Sequence, residues 1–242
     1  MFSIREIILQ FFLPLQCPCC EKFLEEGEKG FCKSCLSEIQ WISPPFCSIC
    51  GTPFPSREIE CHPCGDCMVK KRYFTTARAL GSYEGSLKRA IHQWKYEGKN
   101  ILTPSFGKWM IEGFYKYWDT SFFDLLIPVP LHKKRLKERG FNQALLLVKE
   151  LSRATGIPYK KRILFKKKQS IPQVDLNLVE REKSIRGSFD INRKEEIKGK
   201  RILLIDDVYT TGATVNECSK VLISAGAKRV DVLTLAHTIK NQ

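Results

Sequence analysis

The stretch "RILLIDDVYTTGATVNECSKVLISAGA", residues 201–227, packs an apolar run, two adjacent acids and a hydroxyl-rich turn into one unit. Ile202 to Ile205 are continuously apolar, which predicts a strand buried on both faces. Thr214 onward has a helical pattern, so the chain passes from strand to helix through Thr210, Thr211, Gly212, Ala213 and Thr214. Backbone N–H groups at a helix start are unpaired and the helix dipole adds positive charge there, so such a turn can cradle a phosphate. Gly212 permits close backbone approach, and the three threonines can donate hydroxyls. Asp206 and Asp207 would repel that phosphate. They must therefore face another part of the ligand, either neutral hydroxyls or a bound cation.

Upstream, "FFDLLIPVP" (122–130) is a second buried strand closed by prolines, and "NQALLLVKELSRATG" (142–156) a helix stopped by Gly156 and Pro158. "ARALGSYEG" reads as a short strand and "SLKRAIHQWKYEGK" as a helix with Leu87, Ile91 and Trp94 near one face. "RVDVLTLAHT" closes the series as a last strand. Between them, residues 162–189 begin as a strand and turn polar, the pattern of a mobile loop over a site. Alternating strands and helices predict an α/β fold with a parallel sheet and helices on both faces. Ligands bind such sheets beyond the strand carboxyl ends, where both "IDDVYTTGAT" and "IPVPLHKKRLKERGFN" fall.

The 242 residues carry a formal net charge of +14, which favours polyanionic partners. The opening "MFSIREIILQFFLPLQ" is too short and too charged to span a bilayer, and it lacks the features of a secretion signal. Ile4, Ile7, Ile8, Phe11 and Phe12 follow helical spacing, so residues 1–16 are expected to form an amphipathic helix without membrane insertion. A cytoplasmic, reducing compartment is the expectation, and clustered cysteines there hold metal.

Ten of the eleven cysteines lie between Cys17 and Cys67. Four C-x-x-C knuckles supply Cys17 and Cys20, Cys32 and Cys35, Cys47 and Cys50, and Cys64 and Cys67, enough for two four-cysteine zinc sites over residues 17–70. Sequential and cross-brace pairings both satisfy the spacing. Cys19 and Cys61 are left over, and His62 is an alternative ligand. The segments between knuckles have few apolar residues, so metal must supply folding energy that burial cannot. Four thiolates leave no open coordination position, which makes the zinc structural.

"ILLIDDVYTTGAT" resembles the phosphoribosyl pyrophosphate (PRPP) motif of type I phosphoribosyltransferases. With "IPVPLHKKRLKERGFNQA", the Gln173 and Arg181 of the 170–189 segment and the paired-cysteine front end, the chain resembles the ComF family. That resemblance implies a phosphoribosyltransferase-like domain over 71–242 and a zinc module before it. It also implies that Asp206 and Asp207 hold the ribose hydroxyls, that Thr210 to Thr214 grip the 5′-phosphate, and that Arg135, Arg139, Gly140 and Asn142 hold pyrophosphate. Mg²⁺ would accompany PRPP, with Asp206, Asp207 and Arg139 as the catalytic set. The family is associated with natural competence, which makes single-stranded DNA and competence proteins the expected partners. A non-catalytic DNA-processing scaffold is the alternative. The chain has Ser170 where relatives usually carry threonine, and Ser184 follows Arg181 where asparagine is usual. Lys95 is a further candidate cation. His92, His237 and Cys218 read as structural, and Trp94, Trp109, Phe114, Tyr115 and Trp118 as core or hood.

Overall fold

The computed structural model describes residues 16–25, 28, 30–54, 60–167 and 185–239. Apart from Gln16, the helix expected over 1–16 lies outside these residues, as does the loop segment 168–184 with Ser170, Gln173, Arg181 and Ser184.

Four strands form one parallel sheet: β1 (Ala77–Ser82), β2 (Leu125–Pro128), and two longer ones, Arg201–Tyr209 and Arg229–His237. A short antiparallel hairpin pairs β3 (Leu164–Lys166) with β4 (Phe189–Ile191), so the long strands are β5 and β6. The sheet order is β1-β6-β5-β2. Along β5 the side chains alternate: Leu203 and Ile205 pack into one core, and Ile202 and Leu204 into the other. Both faces are therefore dry, and a continuous apolar run is what such a strand needs.

Two very short helices, α1 (Lys33–Ser37) and α2 (Gly65–Val69), start inside cysteine knuckles, on Cys32 and Cys64. One sheet face is covered by α3 (Gly85–Tyr96), α4 (Thr103–Tyr117) and a third helix, Gln143–Thr155. Before that helix comes α5 (Lys133–Arg139), so Gln143–Thr155 is α6. The other face carries α7 (Ala213–Ser224) and the hairpin.

The cysteine-rich quarter packs onto both cores. Cys17, Cys32 and Cys35 join the first, and Cys47, Cys50 and Cys67 the second. The intervening chain also protects the sheet edge. Ile42 N–H donates to the Leu80 carbonyl at 2.8 Å and Ser82 N–H to the Gln40 carbonyl at 2.8 Å. A paired edge cannot recruit another strand.

Candidate functional site

The structure brings the cysteines together sequentially, as Cys17, Cys20, Cys32 and Cys35, and as Cys47, Cys50, Cys64 and Cys67, with all sulfurs of a quartet within 4.8 Å of one another. Cys20 and Cys32 Sγ are 3.6 Å apart, and Cys50 and Cys64 Sγ 3.7 Å. A tetrahedron with Zn–S bonds of about 2.3 Å has edges of about 3.8 Å, so both quartets fit the ion. In the second, Cys47 Sγ accepts from the amides of Cys50 (3.4 Å) and Cys64 (3.2 Å), which favours a thiolate. Cys19 instead donates to the Ser86 carbonyl at 3.3 Å, Cys61 is exposed, and His62 stacks on Phe54.

A cavity of about 240 Å³ opens at the carboxyl edge of the sheet. Asp206, Asp207, Thr210, Thr211 and Thr214 line it at the end of β5, and Arg135 and Arg139 line it from α5. Lys95 of α3 reaches in as well. Its Nζ donates to Asp207 Oδ1 at 2.6 Å, and each side chain is only 13% exposed. Asp206 accepts from the Asp207 amide at 2.9 Å. Burial first, and the Asp207 charge second, push the Asp206 carboxyl up to about 7, although Lys95 and Lys166 pull the other way. The carboxylate pair thus has more negative charge than one lysine offsets. A cation or a set of hydroxyl donors would complete it, and Asp206 and Asp207 are the residues that would hold Mg²⁺.

The turn has its expected shape, but Gly212 serves a second purpose. Its φ is +76°, and a Cβ there would collide with the Tyr209 hydroxyl. Thr211 Oγ1 accepts from the Ala213 amide at 3.3 Å. Ala213 itself faces a neighbouring hollow rather than the cavity. Arg139 is held by Tyr96, donating to its hydroxyl at 3.0 Å with the guanidinium 4.7 Å over the ring.

Gly140 and Asn142, expected to hold pyrophosphate, are not among the residues that line the cavity. Gly140 caps α5 with φ +77° and donates to the Leu136 carbonyl, so a left-handed helix end requires the glycine. Asn142 uses its amide on the Val129 carbonyl at 3.0 Å, tying α6 to the end of β2.

The sequence places Lys166 only within the basic run "FKKKQ", read as a surface for DNA backbone phosphates. It sits in the cavity opposite Arg135, and burial followed by the Arg135 charge holds its pKa down. The available signal is strand period: Lys166 lies two residues after buried Leu164 and so shares its inward face. Tyr83, His132, Ile185 and Phe189 also line the cavity. Of the two readings for the aromatics, core holds and hood does not. Trp94 and Phe114 are fully buried, Trp109 and Trp118 pack against the same core, and Tyr115 is exposed.

Over 223 residues the chain is 30% identical to Bacillus subtilis competence protein ComFC, covering 89% of this chain and 88% of that one. The chain belongs to the ComF family. Haemophilus influenzae competence protein F is 28% identical, covering 93% of this chain and 98% of the relative. Escherichia coli K12 DNA utilization protein YhgH is 26% identical, covering 94% and 99%. The double zinc ribbon domain family matches residues 8–68 and the phosphoribosyl transferase domain family residues 139–241. Lys95 and Arg135 of this ComF chain lie outside both matches, yet the fold delivers them to the cavity. Among solved structures, a B. subtilis glutamine PRPP amidotransferase covers 55% of this chain and 25% of its own at 22% identity and TM-score 0.37, too loose a likeness to build on.

Proposed function

We propose that this ComF-family protein binds PRPP with Mg²⁺ in the carboxyl-edge cavity, transfers or releases the phosphoribosyl group in the cytoplasm, and acts in DNA uptake. The observation that carries this reading is the charge layout. Four Lys or Arg side chains face two carboxylates across one small cavity, with a phosphate-type turn at its end. That division suits a ligand with phosphates at both ends and hydroxyls between them.

The 5′-phosphate would sit on the turn from Thr210 to Thr214, and Asp206 and Asp207 would accept from the ribose hydroxyls. Arg135, Arg139 and Lys166 would hold pyrophosphate through charge-assisted bonds. Gly140 ends the helix that carries Arg135 and Arg139, and Asn142 ties the next helix to Val129. Lys95 exchanges its Asp207 partner for a phosphate oxygen as the ligand enters. Mg²⁺, when bound, neutralises charge on the departing pyrophosphate. In the reaction the anomeric C–O bond breaks, its electron pair leaves with pyrophosphate, and an acceptor lone pair forms the new bond. The acceptor's proton passes to solvent. The cationic side chains stabilise the charge as it develops. The relatives named for competence and DNA utilization support the cellular role.

A second reading, single-stranded DNA binding, is favoured by a hollow beside Ala213. Lys71 and Lys220 flank the Tyr73 ring at 5.1 and 5.9 Å, and Arg186 lines the same wall. Cations around an aromatic face suit backbone contact with base stacking. Calorimetric titration separates the two. Heat from PRPP with Mg²⁺ that Asp207→Asn abolishes supports the first reading; no heat from wild type overturns it. Single-strand affinity that survives Asp207→Asn and falls steeply with salt supports the second.

A further inference from the structure

The second cysteine quartet reaches the phosphate turn through three side chains. Thr52 Oγ1 lies 3.0 Å from Cys50 Sγ and 3.2 Å from His237 Nε2. His237 is 3% exposed, and its Nδ1 donates to the Thr238 carbonyl at 2.9 Å, which fixes the ring plane. That ring stacks on Tyr209, with centroids 4.5 Å apart and planes inclined by 25°. Tyr209, 4% exposed, ends directly beneath Gly212, and its hydroxyl is buried without a hydrogen-bond partner among the described residues. No side chain at position 212 is compatible with that ring.

These contacts run without a gap from a ligand sulfur to the middle of the turn. Elsewhere the quartet grips the sheet itself. The Ala77 amide donates to the Ile49 carbonyl at 2.7 Å, and Gly51 packs so closely on the Ala77 carbonyl that a Cβ would not fit. The knuckle is therefore fixed to β1, while Thr52 spans to the end of β6. The first quartet takes another route, toward α3, where Ser86 donates to Glu38 at 2.5 Å and Cys19 to the Ser86 carbonyl.

We propose that the second zinc ribbon site holds the phosphate turn in shape, with Thr52, His237 and Tyr209 acting as positioning residues. An unpartnered tyrosine hydroxyl is a weak anchor by itself, because it is held by packing alone. The stacked imidazole restrains the ring; with the ring proton committed to the Thr238 carbonyl, Nε2 accepts the single Thr52 hydroxyl proton, and Thr52 Oγ1 rests against the ligand sulfur by contact alone. Metal occupancy at this site and order in the turn are therefore linked. The consequence for ligand affinity rests on the PRPP reading; the mechanical link does not.

The test uses the full zinc-loaded chain and amide hydrogen exchange, which reads local opening directly. Thr52→Val removes the hydroxyl while leaving all eight cysteine ligands in place. The expected result is two zinc ions per chain, as in wild type, with exchange over residues 210–216 faster by about 2- to 10-fold, the range one lost hydrogen bond gives. Thr52→Ser should restore the wild-type rate. Tyr209→Leu, which removes the ring but keeps the site apolar, should quicken exchange over the same residues. Glu38→Gln, on the first quartet's route, should leave them unchanged. PRPP affinity with Mg²⁺ should fall in step with exchange. Unchanged exchange at 210–216 in both Thr52→Val and Tyr209→Leu overturns the proposal, as does an equal effect from Glu38→Gln. If wild type binds no PRPP, the ligand reading fails while the exchange data still decide the link.

Discussion

Asp206 has a carboxyl pushed up to about 7 at the end of a buried strand, facing Asp207 on its own strand, Lys95 from α3 and Lys166 from β3. A raised carboxyl pKa means that the folded chain holds a proton the unfolded chain would release. That stabilisation is fully present below the unfolded value of about 3.8 and is lost as pH rises through about 7. Asp206→Asn should therefore gain stability over wild type as pH rises from 5 to 8, read from melting temperatures across that window. Ligand binding should show the opposite need. If hydroxyls or a cation engage an ionised Asp206, PRPP affinity with Mg²⁺ rises through pH 7, with proton release visible as buffer-dependent heat. Affinity independent of pH would contradict this role. Lys95 makes the complementary case. Lys95→Met leaves Asp207 without its partner at 13% exposure, a loss of about 3 kcal/mol by denaturant unfolding for a nearly buried pair.

The turn between β5 and α7 was the most legible element, because an apolar run, two acids and T-T-G-x-T specify a strand end and a helix start together. Gly212→Ala should cost about 1–3 kcal/mol, combining left-handed backbone strain with a collision against Tyr209. Unchanged stability would mean that the turn relaxes freely. Helix α4 was not legible, since Gly107 and Gly113 weaken its helical pattern. Both glycines are there for packing: a side chain at 107 would strike Glu150 of α6, and one at 113 would strike Leu80 of β1. The β3–β4 hairpin was half legible. Three-residue strands separated by more than twenty residues have no local signal of their pairing, and the inward turn of Lys166 is hidden with it. Gly140 and Asn142 stand out in the sequence as special positions, but their local reasons are a helix cap and a tie to Val129.

Across the whole molecule, the cysteine quarter was predictable as a metal module, and its low apolar content pointed to dependence on metal. The sequence could not indicate that its cysteines pack into both faces of the sheet, because those contacts join residues far apart in the chain. Chelation should consequently destabilise the α/β part as well. Circular dichroism with zinc release should show one linked loss of structure, whereas an α/β melting transition indifferent to chelator would contradict a shared core. PRPP binding at the carboxyl edge is tested most directly by a crystal structure of the chain with PRPP and Mg²⁺. The expected structure has the 5′-phosphate on Thr210 to Thr214, ribose hydroxyls on Asp206 and Asp207, and pyrophosphate against Arg135, Arg139 and Lys166. A ligand lodged in the hollow around Tyr73 and Lys220, with the carboxyl-edge cavity empty, would contradict it.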